Sequence, residues 1–378
     1  MKCRFFRLFS LSILIAFSIQ IPVFLDLLRW MGSYPVIVLG SWINFPFIFR
    51  ILAGGFYEPP RSLWRLYLTE FPFYIWWTAS LLYTCIKVPI LLAHLLFSPM
   101  TTMGEHAFLD LFSQSAFLWA LTHAGYLVLW RRQNLCVNRV TVPISNLPEA
   151  YEGYRIVQMT DLHCSRFTPG SWIARWAEQV NALAPHLIVL TGDYISAGDL
   201  YIEELGEALS GLSAPDGVVA ILGNHDYFGD TRRLILALER AGIKVLRNQG
   251  RILNPHKPPL FLAGVDDTWT RRADIKLALA ERPKGVPTIL LAHDPSLFPE
   301  AVENHVDLTL SGHTHGGQVA FPIAPKTLNL SRLYHRFVAG LYRIGSSTLY
   351  VSRGAGTTGP PVRLNVSGEI SEITLTRG

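Results

Sequence analysis

Hydrophobic and polar positions follow two different rules along this chain. Up to about residue 135 the apolar residues run almost unbroken. Residues 8–25, 30–49, 71–86 (resuming past Lys87 to Met103) and 111–130 are uncharged and mostly apolar. Each approaches the ~20 residues that a helix needs to cross a hydrocarbon layer. Pro22, Pro35 and Pro46 bend such helices without excluding them. Trp30, Trp76, Trp77 and Trp130 fall near the ends of the runs, where an indole suits the membrane–water boundary. This pattern predicts a membrane domain over residues 1–135 with about four transmembrane helices. The first follows Lys2, Arg4 and Arg7 as a signal peptide would, but no small-residue cleavage site follows it, so it reads as an uncleaved span.

From about Cys136 the pattern changes. Short apolar runs of strand length alternate with segments of helical period, the signature of an α/β domain over residues 136–378. Strands are expected at 155–159, 187–191, 218–222, 288–292, 308–310 and 349–352. Helices are expected at 171–183, 202–212 and 231–241.

Composition sharpens the division. Half the residues are hydrophobic and only 16% are charged, too apolar for a wholly soluble protein. Residues 1–135 hold ten Lys/Arg against five Asp/Glu, while 136–378 hold 23 of each, so the net +5 belongs to the N-terminal third. A neutral second domain argues against general nucleic-acid binding. Basic residues alternate between the expected loops: Lys2, Arg4 and Arg7, then Arg29 alone, then Arg50, Arg61 and Arg65, then none, then Arg131, Arg132 and Arg139. That alternation places both termini, and with them the second domain, on the cytoplasmic side of an integral membrane protein, the inner membrane if the source is bacterial. Lys87 is the single mid-span charge, so an ion pathway is not indicated. Cys3, Cys85, Cys136 and Cys164 show no pairing pattern, which fits a reducing compartment.

The first five expected strands share one property. They end in Asp161-Leu162-His163, Gly192-Asp193, Gly223-Asn224-His225-Asp226, His293-Asp294 and Gly312-His313-Thr314-His315. Sheets of this class place their sites at the carboxyl ends of strands. Any one polar strand end is a cap or a turn; five bearing carboxylate, amide and imidazole donors point to metal chemistry.

In that order the motifs resemble the calcineurin-like metallophosphoesterase superfamily, across roughly residues 140–376. Within it the wording around Asp161, the run 311–319 and Tyr350-Val351-Ser352-Arg353-Gly354 resemble the YkuE/YaeI-like branch. That branch includes membrane-attached hydrolases of UDP-2,3-diacylglucosamine, in lipid A biosynthesis. The layout of spans followed by this domain also resembles the eukaryotic transmembrane protein with metallophosphoesterase domain. Ser367-Gly368 before Glu369 departs from the branch, where proline is expected.

The resemblance implies a four-layer α/β/β/α sandwich binding two divalent transition-metal ions, with manganese the first choice and iron, zinc or cobalt the alternatives. It implies Asp161, His163, Asp193 and His315 around one ion and Asp193, Asn224, His293 and His313 around the other, with Asp193 shared. A water between the ions, its pKa lowered, would attack phosphorus in line. His225 is expected to protonate the leaving oxygen, with Asp226 as its orienting partner. Arg166 and Arg353 are candidate phosphate contacts, since guanidinium matches phosphate in a bidentate fashion, or else solvated surface or paired arginines. Segment 321–343 interleaves Phe321, Ile323, Leu328, Leu330, Leu333 and Phe337 with Lys326, Arg332, Arg336 and Arg343, the composition of a membrane-facing rim or of a covered loop. The expected function is hydrolysis of a phosphodiester or pyrophosphate bond in an amphipathic or nucleotide-lipid substrate, UDP-2,3-diacylglucosamine being the specific candidate. The alternatives are a phosphoesterase for phospholipid, nucleotide or phosphoprotein, and a non-catalytic receptor or scaffold.

Overall fold

The computed structural model describes residues 14–52, 60–97, 103–254, 256–320 and 329–378. The chain divides into two compact units, residues 1–56 with 62–131 and residues 57–61 with 132–378.

The first unit is helical. Its principal helices are α1 (Ile21–Met31), α2 (Ser33–Leu52), α3 (Phe71–Phe97) and α4 (Met103–Leu129). Helical turns at Leu63–Arg65 and Leu66–Glu70 lead into α3. Among the described residues, two stretches are long and apolar enough to cross a membrane, Leu14–Met31 and Leu63–His94, and Ser33–Ile48 is a shorter apolar helix. The first expected span begins outside the described residues. Leu25, Ile37, Trp42, Leu92 and Leu118 all point outward from this unit, leaving it with an apolar exterior.

The second unit is built from two six-stranded sheets. The first has the order β1 (Cys136–Ile144), β12 (Glu369–Arg377), β2 (Arg155–Met159), β3 (Leu187–Thr191), β4 (Val218–Ile221), β5 (Lys244–Val245). The second runs β10 (Gly340–Ile344), β11 (Ser347–Val351), β9 (Leu308–Ser311), β8 (Thr288–Leu291), β7 (Phe261–Gly264), β6 (Gln249–Ile252). β2 to β5 are mutually parallel, as are β7, β8, β9 and β11.

The layering follows from the period-two alternation of strand side chains. In β3, Leu187 and Val189 pack between the sheets, while Ile188 and Leu190 pack outward against helices. β4 repeats this with Val219 and Ile221 inward, Val218 and Ala220 outward. Opposite them, Ile289 and Leu291 of β8 and Leu308 and Leu310 of β9 complete the inter-sheet core. The outer face of the first sheet is covered by α5 (Gly170–Ala182), α6 (Ile202–Leu209) and α7 (Thr231–Arg240), through Trp176, Leu205 and Leu234 among others. The outer face of the second is covered by α8 (Ile275–Ala278) and α9 (Phe298–Glu303), through Ile275 and Phe298. Strands buried on both faces read as continuous apolar runs, which is why β2, β3, β4, β8 and β9 were visible in the sequence.

The helical unit departs from expectation at Lys87. Its ammonium lies 3.1 Å from Asp26 of α1 and donates to Ser113 of α4 at 2.6 Å. The Tyr83 hydroxyl donates to the same Asp26 carboxylate. The charge read as solitary is therefore one member of a group that ties α1, α3 and α4. Removing one member of a shielded ion pair leaves the other uncompensated. Asp26→Asn is expected to lower the unfolding free energy of the detergent-solubilised protein by about 3–5 kcal/mol. Asp26→Leu combined with Lys87→Met should recover most of it, read from denaturant titrations of the full chain.

Candidate metal centre

The parallel strands of both sheets deliver their carboxyl ends to one place. β2 leads to Asp161 and His163, β3 to Asp193, β4 to Asn224 and His225. From the other sheet, β8 leads to His293 and β9 to His313 and His315. Backbone bonds lace these turns together: Asp161 N–H to Gly192 O at 2.9 Å, His163 N–H to Asp193 O at 3.0 Å and Gly312 N–H to His293 O at 3.0 Å.

The side chains then converge. The Asp193 Oδ2 oxygen lies 3.2 Å from His293 Nε2 and 3.6 Å from His163 Nε2. His163 Nε2 is 3.0 Å from His315 Nε2, which is 3.4 Å from Asp161 Oδ1. The rings of His293 and His313 are centred 5.1 Å apart. Three groups result in which all donor atoms lie within 4.8 Å of one another: Asp161, His163 and His315; His163, Asp193 and His225; Asp193, His293 and His313. Asp161, His163, Asp193, His293, His313 and His315 are thus brought into one cluster, and Asp193 belongs to two of its groups. Asn224, next to His225 in the chain, is buried and its Oδ1 is without a hydrogen-bond partner.

Burial sets the charge state. It pushes His163 down to about 3 and His313 down to about 4, and holds His315 well below the usual histidine range. Those imidazoles are neutral, the form that binds metals. Burial raises the Asp161 carboxyl to about 6, against the pull of His293. For Asp193 burial opposes ionisation too, but the charges of His293 and His225 outweigh it and hold the carboxyl well below its usual range. For His293 burial works against the charge, yet the neighbouring Asp193 lifts it to about 10. Crowded imidazoles around an ionised carboxylate, with an orphaned amide oxygen beside them, form a donor set that fits divalent cations with borderline preferences.

The backbone is bent to achieve this. Asp161, His163, Asp193, His313 and His315 all have φ between 48° and 71°. Non-glycine residues rarely adopt that left-handed region, and such strain concentrates at functional sites. The flanking glycines are needed for room: a Cβ on Gly312 would collide with the Asp161 carboxylate and Thr160, and one on Gly223 with the Asp193 carboxylate.

Around the donors sit supports. His293 Nδ1 faces Thr191 O at 2.7 Å and His225 Nδ1 faces Ser196 O at 2.7 Å. A carbonyl only accepts, so both Nδ1 atoms carry a proton, and Nε2 is the nitrogen left for the cluster; in His293 it lies 3.2 Å from Asp193 Oδ2. Asp226 is a correction. Expected to orient the His225 ring, it turns inward and accepts from the backbone N–H groups of Asp193, Tyr194 and Gly223 at 2.8–2.9 Å. It fastens the second and third turns to each other, and the Ser196 carbonyl does the orienting. Both candidate arginines have protein partners. Arg166 is buried with its guanidinium over the Phe167 ring at 4.3 Å. Arg353 is committed to Glu369, Nε to Oε2 at 2.6 Å, while its backbone N–H bonds the other oxygen.

One participant was missed. Arg363 is buried and donates to the carbonyls of Arg353, Gly354 and Gly356 at 2.6–3.0 Å, with a weaker contact to His315 Nδ1 at 3.5 Å. It folds the glycine-rich loop against the back of His315. Its only signal in the sequence is an arginine wedged between Val362 and Leu364. Of segment 321–343, residues 321–328 lie outside the described residues. Phe337 is buried against Phe298, so it belongs to the core, whereas Leu333 is 74% exposed.

Two sheets offering carboxylate, amide and imidazole donors at their joint carboxyl ends define a metal-dependent phosphoester hydrolase. Residues 154–317 match the calcineurin-like phosphoesterase family model. The chain is 28% identical over 95% of its length to the transmembrane protein with metallophosphoesterase domain of Danio rerio, spanning 90% of that protein. It is 32% identical to the uncharacterized metallophosphoesterase YkuE of Bacillus subtilis, over 62% of this chain and 83% of that one. It is 31% identical to an uncharacterized metallophosphoesterase of Aquifex aeolicus, over 64% of this chain and 92% of that one. The chain belongs to the calcineurin-like phosphoesterase family.

The shared carboxylate separates the roles of the donors. Loaded with Mn²⁺ and measured by elemental analysis, the protein is expected to hold about two ions per chain. Asp193→Asn should reduce both, whereas Asn224→Ala should remove about one. Equal retention in both variants would contradict the division of ligands.

Proposed function

We propose that this protein is a membrane-anchored, dinuclear-metal phosphoesterase that cleaves a phosphodiester or pyrophosphate bond in an amphipathic substrate. The observation that supports it is Asp193: one ionised carboxylate flanked by His163 and His293, with Asp161 and His315 grouped with the first and His313 with the second. One ion would be held by Asp161, His163, Asp193 and His315, the other by Asp193, Asn224, His293 and His313. When bound, divalent cations supply a lowered water pKa and neutralise charge developing on the phosphoryl oxygens.

The chain's own groups do the rest. His225 holds its Nδ1–H on Ser196 O, which leaves Nε2 to carry a proton to the departing oxygen. Its backbone N–H donates to Asp193 Oδ1 at 2.9 Å, so the acid and the shared ligand move as one piece. Asp226 and Arg363 keep the turns in register. His225→Ala is expected to retain bound metal and to lower kcat by ~10²–10⁴-fold, with a smaller loss on substrates whose leaving group needs no proton. Hydrolysis should disappear in EDTA and return with Mn²⁺. Loss of metal from His225→Ala would reassign that residue as a ligand, a role its membership of the His163 and Asp193 group permits.

The membrane attachment supports an amphipathic substrate. We read about four spans, both termini cytoplasmic, and the relatives' name transmembrane protein agrees with the attachment. A lipid with two chains resists leaving the bilayer by ~0.8 kcal/mol per CH₂, so an enzyme for it must work at the surface. Leu333 and Tyr334 are exposed at 74% and 61%, between exposed Arg332 and Arg336, a composition suited to an anionic headgroup layer. UDP-2,3-diacylglucosamine is the specific candidate. Leu333→Asp with Tyr334→Asp is expected to cut turnover of an acylated substrate in mixed micelles several-fold, leaving a small soluble phosphodiester nearly unchanged. Equal loss on both would place the segment in the scaffold. A reporter fused after Gly378 that reads external would remove cytoplasmic-leaflet lipids from the candidates.

A further inference from the structure

Residues 329–338 form an arch over the turn that carries His313 and His315. Both of its feet are bolted to that turn. At one foot, Asn329 Nδ2 donates to Gly316 O at 2.5 Å and its Oδ1 accepts from Ser331 N–H at 2.9 Å. At the other, Thr314 Oγ1 donates to Val338 O at 2.5 Å, and the buried Phe337 seals the foot into the core. Between the feet, Leu330–Leu333 makes one tight turn and the His335 N–H closes onto Ser331 O at 2.8 Å. Leu333 and Tyr334 consequently face outward, and His335 faces the site.

The ring of His335 is centred 5.4 Å from that of His313, edge to face. It is half-buried, and among the described residues its imidazole has no hydrogen-bond partner. The other histidines beside the centre are engaged: His293 with Thr191 O, His225 with Ser196 O, His163 with His315. A residue fixed from two sides, brought edge-on to a donor of the centre, and left with free hydrogen-bonding capacity is equipped for a ligand. An imidazole always offers at least one N–H, whichever tautomer is present. The ligand chemistry that uses such a donor next to a cation site is an oxyanion, here a phosphoryl oxygen.

We infer that His335 is a substrate-binding residue, donating a hydrogen bond from the arch to a non-bridging oxygen of the phosphoryl group on the His313 side of the centre. The inference rests on the phosphoesterase reading above and extends it with a contact outside the donor set. Because the contact is made to the ground state as well as to the transition state, its loss should appear in KM and leave kcat nearly unchanged.

The test uses the full chain in detergent, loaded with Mn²⁺, with bis(p-nitrophenyl) phosphate as substrate and inorganic phosphate as a binding probe. His335→Ala is expected to raise KM about 3–10-fold, the worth of one ordinary hydrogen bond, with metal content unchanged. The dissociation constant of phosphate, measured by calorimetry, should rise by a similar factor. His335→Gln, which keeps an N–H donor, should recover most of both. Unchanged KM and unchanged phosphate affinity in His335→Ala would overturn the inference. So would a loss that His335→Gln fails to rescue together with a lowered melting temperature, since that describes a scaffold residue. A wild-type protein that binds phosphate through His335 but hydrolyses no phosphodiester would count against the proposed function and leave the inference standing.

Discussion

Everything in the second unit depends on keeping one carboxylate ionised where water does not reach. Asp193 is buried, and burial by itself favours the neutral acid. What reverses the preference is the charge of His293 from the second sheet and then that of His225 from the first, with the backbone N–H of His225 on its second oxygen. The two sheets therefore cannot slide independently. Their register is set by the inter-sheet core, by residues such as Val189, Ile221, Leu291 and Leu310, whose alternation with outward-facing neighbours admits only one packing.

The supports are arranged in the same spirit. Asp226 commits its carboxylate entirely to backbone N–H groups of the Asp193 and Gly223 turns. Arg363 commits its guanidinium to carbonyls of the loop behind His315. Asp226 gathers backbone donors, its carboxyl raised to about 8 by burial and by Asp193, and the Arg363 cation gathers carbonyl acceptors, so turns that end in strained left-handed residues are held from both sides by side-chain bonds. The Arg353–Glu369 pair extends this support into β12, where Tyr350 and Ser371 also meet the Glu369 carboxylate.

Much of this could be read from the sequence, for a physical reason. Strands buried on both faces are mostly apolar, and the donors follow them directly, so β2, β3, β4, β8 and β9 and their ligands announced themselves together. β1 and β12 did not. β1 alternates exposed and half-buried residues over much of its length, and β12 carries Glu369 and Glu372 at buried positions, which breaks the apolar run. The partners of charges were equally hidden. Nothing local to Lys87 shows that Asp26 lies beside it, 61 positions away, and nothing in His225-Asp226 shows that the adjacent aspartate turns to the backbone while Ser196 holds the ring. Pairing across the fold is a property of topology, which periodicity does not encode.

The separation of the donors along the chain has a consequence for how the folded state is held. His163 and His315 approach within 3.0 Å although 152 positions separate them. A cation shared by such a pair would be a reversible cross-link that closes a very long loop. Loop-closure entropy grows only with the logarithm of length, so most of the benefit of a long closure is already gained at modest size, and two closures through a common Asp193 would reinforce each other. Ligation that exists only in the folded chain shifts the folding equilibrium by mass action. The persistence of this domain would thus be tied to the supply of free metal around it, and the strained backbone of the donor turns would be held in place by the same ions that the reaction uses.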